Sequence, residues 1–312
     1  MGTGSREKIK NLHRILLRWY RKNGRKLPWR STTDSYPILV SEIMLQQTQA
    51  SRVAEKFAQF LKRFPILQTL AKASKADVVR ARQGMGYNNR AIRLRELARI
   101  VVEKHSAELP SDIQELQTLP GVGRYTGHAV ACFAYGRRVP VVDVNIRRVL
   151  SRVMWKMKHP SAIKSEKEIW NIAKRILPGK PFEWNQALMD LGATICTSRR
   201  PSCSSCPIRS SCRSQHIGMR IYNGSRNGKK QLQEPSYDGI PRRIWRGKII
   251  EELRRVKVDG KTSLLNLGKS IKRDFKRDEI SWLKNVIREL EHDGLLSIRT
   301  HSPGMVVSLS QE

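Results

Sequence analysis

The chain is poor in acid. Its 312 residues hold 27 Asp and Glu against 60 Lys and Arg, a formal net charge of +33. The excess runs along most of the chain and is not gathered in one tail. A field of that sign favours a polyanion, and nucleic acid before an anionic membrane surface. Long apolar runs are also missing. No stretch reaches the ~18 residues of a membrane-spanning helix, and the N-terminal MGTGSREKIK has no apolar signal core. These absences predict a soluble intracellular protein with no membrane partner, cytoplasmic and close to the nucleoid, or nuclear in a eukaryote. Cysteine is scarce over most of the chain: of five, four fall between residues 196 and 212. Such bunching argues against a disulfide framework and for a metal or cluster site. No stretch before residue 290 alternates apolar and polar residues as a strand would.

What is present is helical periodicity. Residues 5–22 place Ile9, Leu12, Ile15, Leu16 and Trp19 on one face, and Gly24 and Pro28 end the pattern. From 36 to 178 one helical pattern follows another: ILVSEIMLQQTQ, SRVAEKFAQFLKRF, NRAIRLRELARIVVEKH, GHAVACFAYG, VNIRRVLSRVMW and EIWNIAKRIL. FEWNQALMDLGATICTS then runs into the cysteine loop. The reading is mainly α over 1–212, with a polar, basic, Gly- and Ser-rich linker over 213–240. Residues 241–312 read as three helices and a hairpin around Ser302-Pro303-Gly304, a winged-helix-like α+β module.

Three features carry chemistry. Cys196, Cys203, Cys206 and Cys212 have spacings of x6, x2 and x5, and four thiolates so placed suit zinc or a [4Fe–4S] cluster. Cys132, among Ala, Val and Phe, reads as an inert core residue. LPGVGRYTGHA reads as helix, tight turn, helix. Gly121 and Gly123 permit the turn, and the amides opening the second helix suit a phosphate. Finally, two carboxylates stand in apolar company. Asp143 follows VPVV and suits a helix N-cap, while Glu42 lies inside YPILVSEIML. A carboxylic acid held protonated by burial, beside an ionised partner, is the pair that glycosidic chemistry uses.

These segments together resemble the helix-hairpin-helix DNA glycosylases with an iron–sulfur loop. That superfamily includes endonuclease III, and the branch resembled most is the A/G-mismatch adenine glycosylases of the MutY type. The resemblance rests on LPWR (27–30), SEIMLQQTQ (41–49), GMGYNNRA (84–91), LPGVGRYT (119–126), VVDVNIRRVLSR (141–152), NQALMDLGATICT (185–197) and the four cysteines, and covers roughly residues 8–212. It implies a [4Fe–4S] cluster on the cysteines, and a duplex DNA partner containing a mismatch, bound by a monomer.

The resemblance also implies roles. Asp143 matches the catalytic aspartate that stabilises the cationic sugar, and Glu42 the acid that protonates adenine and then helps activate water. Tyr125 stands where bifunctional relatives carry a Schiff-base lysine. A phenol cannot form that imine, so hydrolysis without strand cleavage is expected, with Tyr125 ordering the carboxylates and Asn145 orienting Asp143. Because base chemistry requires an extrahelical nucleotide, Gln47 is expected as a wedge and Tyr87 as an intercalating aromatic. Trp29 and Gln186 would line the base pocket and Arg30 its rim, with Gly121 and Gly123 on the DNA backbone.

Some positions depart from the branch pattern. Val144 stands where the branch usually has Gly, Ala50 where it has a β-branched residue, and Asn88 where it has Tyr. Ala50 and a non-glycine after the Asp occur in thymine-removing T/G relatives, which leaves thymine or uracil opposite guanine as the alternative. A catalytically silent DNA-binding protein is a further one. The C-terminal module is shorter than the β-rich Nudix-like domain of many adenine glycosylases. Its helix 279–293, flanked by Lys272, Arg273, Lys276 and Arg277, is expected to face DNA.

Overall fold

The structure is a computed structural model that describes residues 3–86, 88–157, 163–215, 234–256, 261–301 and 304–311. The fold is mainly α with a small C-terminal sheet, and the chain divides into two compact units. One takes residues 1–39, 110–118 and 122–227, and the other 40–109, 119–121 and 228–312.

The first unit is built on α1 (Thr3–Asn23), α7 (Ile113–Thr118), α8 (Arg124–Phe133), α9 (Val144–Met154), α10 (Glu166–Arg175) and α11 (Pro181–Thr194). Leu12 and Leu16 of α1 are buried, as the 3.6-residue period requires. His13 seats edge-on to Trp184 of α11, with ring centroids 4.6 Å apart, and its Nε2 lies 2.7 Å from the Ile176 carbonyl oxygen. Helix α10 opens on a capping box. Ser165 Oγ accepts the Glu168 amide at 3.3 Å, and the Glu168 carboxylate accepts the Ser165 amide at 3.1 Å. After α11 the chain turns through two short 3-10 turns, Cys203–Ser205 and Arg209–Ser211.

The second unit takes over within α2 (Ser35–Leu45) and continues through α3 (Ala50–Arg63), α4 (Leu67–Lys72), α5 (Lys75–Ala81) and α6 (Asn89–Lys104). Its core holds Phe57, Phe60, Leu70, Val79, Leu94, Leu97 and Val101. Helices α4 and α5 have no counterpart among the periodic segments read from the sequence. At six and seven residues they are too short for periodicity to separate them from a loop.

The C-terminal module belongs to this second unit. A two-residue hairpin, β1 (Ser236–Tyr237) with β2 (Ile240–Pro241), precedes α12 (Arg242–Arg255). Then follow β3 (Thr262–Ser263), α13 (Leu264–Ile271), α14 (Ile280–His292), β4 (Leu296–His301) and β5 (Gly304–Leu309). The antiparallel sheet has the order β3-β5-β4. Helix, strand, two helices and a two-stranded wing is the winged-helix order the sequence suggested. Trp245, Ile249, Leu283, Ile287 and Val307 form the module's core, and Trp282 stacks on Tyr237 at 4.0 Å. The residues read as a linker run to 240, yet 234–240 already carry β1 and the start of β2. Residues 216–233 lie outside the described ones.

Arg254 ties the module to α5 and α6. With its side chain 6% exposed, it donates from Nε and Nη2 to the Val79 carbonyl oxygen (3.2 and 3.0 Å), from Nη2 to Asn88 Oδ1 (2.7 Å), and from Nη1 to Glu251 (2.8 Å). The Val79 carbonyl oxygen lies in the last turn of α5 and also accepts the Arg82 amide at 3.3 Å, so Arg254 adds side-chain donors to a helix-end acceptor. The module thus caps α5.

Candidate active site

Asp143 is the N-cap of α9. Its Oδ1 accepts the Ile146 amide at 2.6 Å and its Oδ2 accepts from Asn145 Nδ2 at 2.7 Å. Capping and orientation by Asn145 therefore hold at once. Burial pushes the Asp143 carboxyl above its ordinary value. The Ile146 amide, the Asn145 side chain and the Arg148 charge pull it down without cancelling that rise.

Behind Asp143 stands a network that the sequence reading missed. Arg148, one turn along α9, donates from Nη2 to Asn145 Oδ1 and to the Gly192 carbonyl oxygen, both at 2.8 Å. Its Nε donates to the Cys196 carbonyl oxygen at 2.8 Å. Asn145 is thus held at both ends of its amide, and the support reaches the cysteine loop. Gly192 on α11 makes this possible, since a Cβ there would lie 2.7 Å from Asn145 Cβ. The i, i+3 spacing of Asn145 and Arg148 was the available signal.

The pocket candidates of the first unit sit on α11 and the 3-10 turn Pro28–Arg30. Trp29 is 5% and Gln186 4% exposed. Arg30, expected at a pocket rim, is instead engaged in the interior: Nη1 and Nη2 donate to Asp190 at 2.8 and 2.9 Å, and Nη1 also to the Arg25 carbonyl oxygen. Arg25 adds its amide (2.8 Å) and Nε (2.7 Å) to the same carboxylate. Burial acts to raise the Asp190 carboxyl, but the Arg30 and Arg25 hydrogen bonds and charges outweigh it and hold it below its ordinary value. Asn185, next to Gln186, accepts the Val141 amide at 3.2 Å and donates to the Val139 carbonyl oxygen at 3.2 Å, fixing the run that leads into Asp143. Tyr125 is half-buried in the first turn of α8.

The second unit carries Glu42 and Gln47. Glu42 is 3% exposed on α2. After α2 ends at Leu45 the chain turns sharply, and Gln47, exposed, takes φ +59°, a left-handed conformation uncommon for a side chain with a Cβ. Such strain persists only where neighbours hold it. Arg90 donates to the Gln46 carbonyl oxygen, Gln46 Nε2 to the Gly121 carbonyl oxygen (3.4 Å), and Thr48 to the Met85 carbonyl oxygen (3.4 Å). The sequence reading extended this helix to residue 49; it ends four residues earlier, which leaves Gln47 projecting from a turn. Gly121, at φ +82°, is the position where the hairpin turn needs glycine. Gly123 is in extended backbone, φ −89° and ψ −177°, at the N-cap of α8. Tyr87 lies outside the described residues.

Cys196, Cys203, Cys206 and Cys212 line one cavity with Val149, Leu191 and Ile208. Arg152 crosses it, donating to the Thr197 carbonyl oxygen (2.7 Å) and to Cys196 Sγ (3.2 Å). Burial pushes the Cys206 and Cys212 thiols up to about 11, a cost that a bound metal's charge would offset. Among the described residues no group of three or more His, Cys, Asp or Glu is set to hold a single metal ion. Four thiols lining one cavity are the donor set that a metal centre or an iron–sulfur cluster takes. Cys132 is 1% exposed and its thiol is raised to about 11 by burial, as an inert core residue should be.

Residues 40–175 match the HhH-GPD superfamily base excision DNA repair protein model. The chain is 42% identical over 243 residues to the adenine DNA glycosylase of Mycobacterium tuberculosis, a match covering 77% of each chain. The chain belongs to the adenine DNA glycosylase family of this superfamily. The human adenine DNA glycosylase is 40% identical over 232 residues, covering 70% of this chain and 42% of its own. A thermostable thymine-DNA glycosylase has a similar structure, with TM-score 0.63 and 31% identity, covering 69% of this chain and 98% of that one. Endonuclease III in a non-covalent DNA complex, at TM-score 0.60 and 21% identity over 70% of this chain, shares the fold.

Within the adenine DNA glycosylase family, this chain's departures have structural settings. Val144 is 73% exposed at the first position of α9. Ala50 opens α3. Asn88 is engaged by Arg254 of the C-terminal module. Lys272, one of the basic residues flanking α14, is tied to Glu279 at 2.6 Å and to Asp238 at 3.5 Å.

Proposed function

We propose that the chain is a monofunctional DNA glycosylase of base excision repair that removes adenine mispaired with guanine or 8-oxoguanine. The observation that carries this reading is Asp143, a carboxylate raised by burial and fixed by Ile146 and Asn145, in a chain 42% identical to an adenine DNA glycosylase. Glu42, buried on α2, protonates the base, and the glycosidic electron pair leaves with adenine. The sugar becomes cationic at C1′. A buried carboxylate interacts more strongly with that cation than with the neutral ground state, which is the condition for catalysis. Water activated by Glu42 then completes hydrolysis. Tyr125, in place of a lysine, offers no amine for a Schiff base, so no strand cleavage accompanies excision.

Gln47, projecting from its turn at φ +59°, enters the duplex in place of the extruded nucleotide. Cys196, Cys203, Cys206 and Cys212 hold a [4Fe–4S] cluster that keeps the loop folded. DNA is bound by a monomer. The second reading, thymine or uracil opposite guanine, is favoured by the likeness to the thymine-DNA glycosylase. A panel of A·G, A·8-oxoguanine and T·G duplexes, assayed under single-turnover conditions for alkali-labile sites, separates the two. Adenine-containing duplexes are expected to be cut after alkali and T·G left whole. Product from T·G alone reverses the assignment, and no product from any duplex marks a silent binding protein.

A further inference from the structure

In the second unit, the N-terminus of α6 and the helices α12 and α14 enclose a cleft of about 560 Å³. Its lining includes Asn88, Asn89, Arg90 and Arg93 at the start of α6 and Arg243 and Arg246 from α12, and no acidic residue. Three carboxylates do pair with these arginines: Glu234 with Arg243, and Glu289 and Asp293 with Arg246. Arg93 is exposed, and Arg243 keeps 59% of its side chain exposed despite its pair. Nearby Arg82 is fully buried, and none of its three side-chain nitrogens has a hydrogen-bond partner among the described residues. Burial, then the charges of Arg90 and Arg254, push its guanidinium down to about 10. The cluster is therefore under-compensated in negative charge.

The helix end adds to this. Asn is a favoured N-cap, yet Asn88 caps nothing, because its Oδ1 accepts from Arg254 instead. The first amides of the 16-residue α6 thus lack a side-chain cap. Arg93 packs beside Gly121 of the hairpin turn, where a Cβ would lie 3.5 Å from Arg93 Cβ. Ile244, 44% exposed, supplies an apolar patch for a sugar face.

We infer that this cleft is a second DNA-backbone site, built jointly by α6 and the C-terminal module, which takes phosphates of the duplex beyond the nucleotide being excised. Arg93 and Arg243 each contact a phosphate, positioning the duplex without reading sequence. The inference needs duplex DNA as ligand but not adenine as the excised base, so it is tested on undamaged duplex.

The experiment uses the full chain with Arg93→Gln and Arg243→Gln combined. Affinity for an undamaged duplex is measured by fluorescence anisotropy across a salt series. Two lost phosphate contacts lower the slope of log K against log salt by about 1.8, at roughly 0.9 each. Single-turnover excision at saturating enzyme stays unchanged, and the charge-keeping Arg93→Lys, Arg243→Lys pair restores the slope. An unchanged slope overturns the inference, as does an equal fall in the control Lys62→Gln, Lys104→Gln, whose two lysines are exposed outside the cleft lining. Failure of the lysine pair to restore the slope, a slower rate at saturation, or competition by poly-glutamate as strong as by duplex also overturns it.

Discussion

Asn145 has each end of its amide occupied: Nδ2 gives to Asp143 and Oδ1 receives from Arg148. The Asp143 carboxylate is consequently held in one orientation by Asn145, which Arg148 fixes in turn. Gly192→Ala places a methyl 2.7 Å from Asn145 Cβ, so Asn145 must shift. Single-turnover excision should fall by about 10- to 100-fold, as misplacement of a catalytic group does, with duplex affinity within about twofold of wild type. Asp143→Asn goes further, because it removes the charge itself. Because burial raises the Asp143 carboxyl in the folded state, ionising it costs stability, and that cost grows as pH rises from the ordinary carboxylate range through the raised value. Asparagine keeps the Ile146 cap through its oxygen and removes the charge, while its Nδ2 faces Asn145 Nδ2, donor to donor. The variant should bind duplex and fail to turn over, and its melting temperature should gain on that of the wild type as pH rises through the raised value. A difference that stays flat or shrinks as pH rises contradicts this account of the site's electrostatics.

At the level of elements, α11 and the turn Pro28–Arg30 are locked by one buried carboxylate that two arginines share. Asp190→Asn leaves Arg30 without its countercharge and should destabilise the fold by about 3–5 kcal/mol. The wild-type contribution is held above the ordinary carboxylate pKa and lost as pH falls through the lower folded value, so the difference between the two melting curves should close in acid. The junction of α12 with α5 and α6 rests on Arg254. Arg254→Ala should speed amide exchange over residues 82–89 by at least tenfold while leaving α9 and α11 as protected as before. Periodicity made the long helices legible. Residues 51–64, 89–105 and 144–155 read as helices within one or two residues of where α3, α6 and α9 lie. Helices α4 and α5 were illegible because two turns carry too little period. The end of α2 was misplaced because apolar spacing continues past Leu45 while Arg90 and Gly121, distant in sequence, hold the turn.

For the molecule as a whole, the excess of 33 positive charges announced a polyanion but not where it lies. The cysteines, the hairpin glycines, Glu42 and Asp143 stand out in the sequence because chemistry and spacing mark them locally. Arg148, Gly192 and Asp190 do not, since each matters only through a partner that folding brings near. Arg30 was assigned to a rim for the same reason: its carboxylate stands 160 positions away. Iron analysis of the purified chain should find about four irons per molecule, given the cluster formula. Replacing Cys203 with Ala should lower that number together with the melting temperature. The account rests most heavily on Asp143 acting at the sugar of a mispaired adenosine, and single-turnover release of free adenine from an A·G duplex, wild type beside Asp143→Asn, tests it most directly. Stoichiometric adenine from the wild type, and at least a thousandfold slower release from the variant bound to the same duplex, is the predicted result; equal rates, or thymine released from T·G and no adenine from A·G, would contradict it.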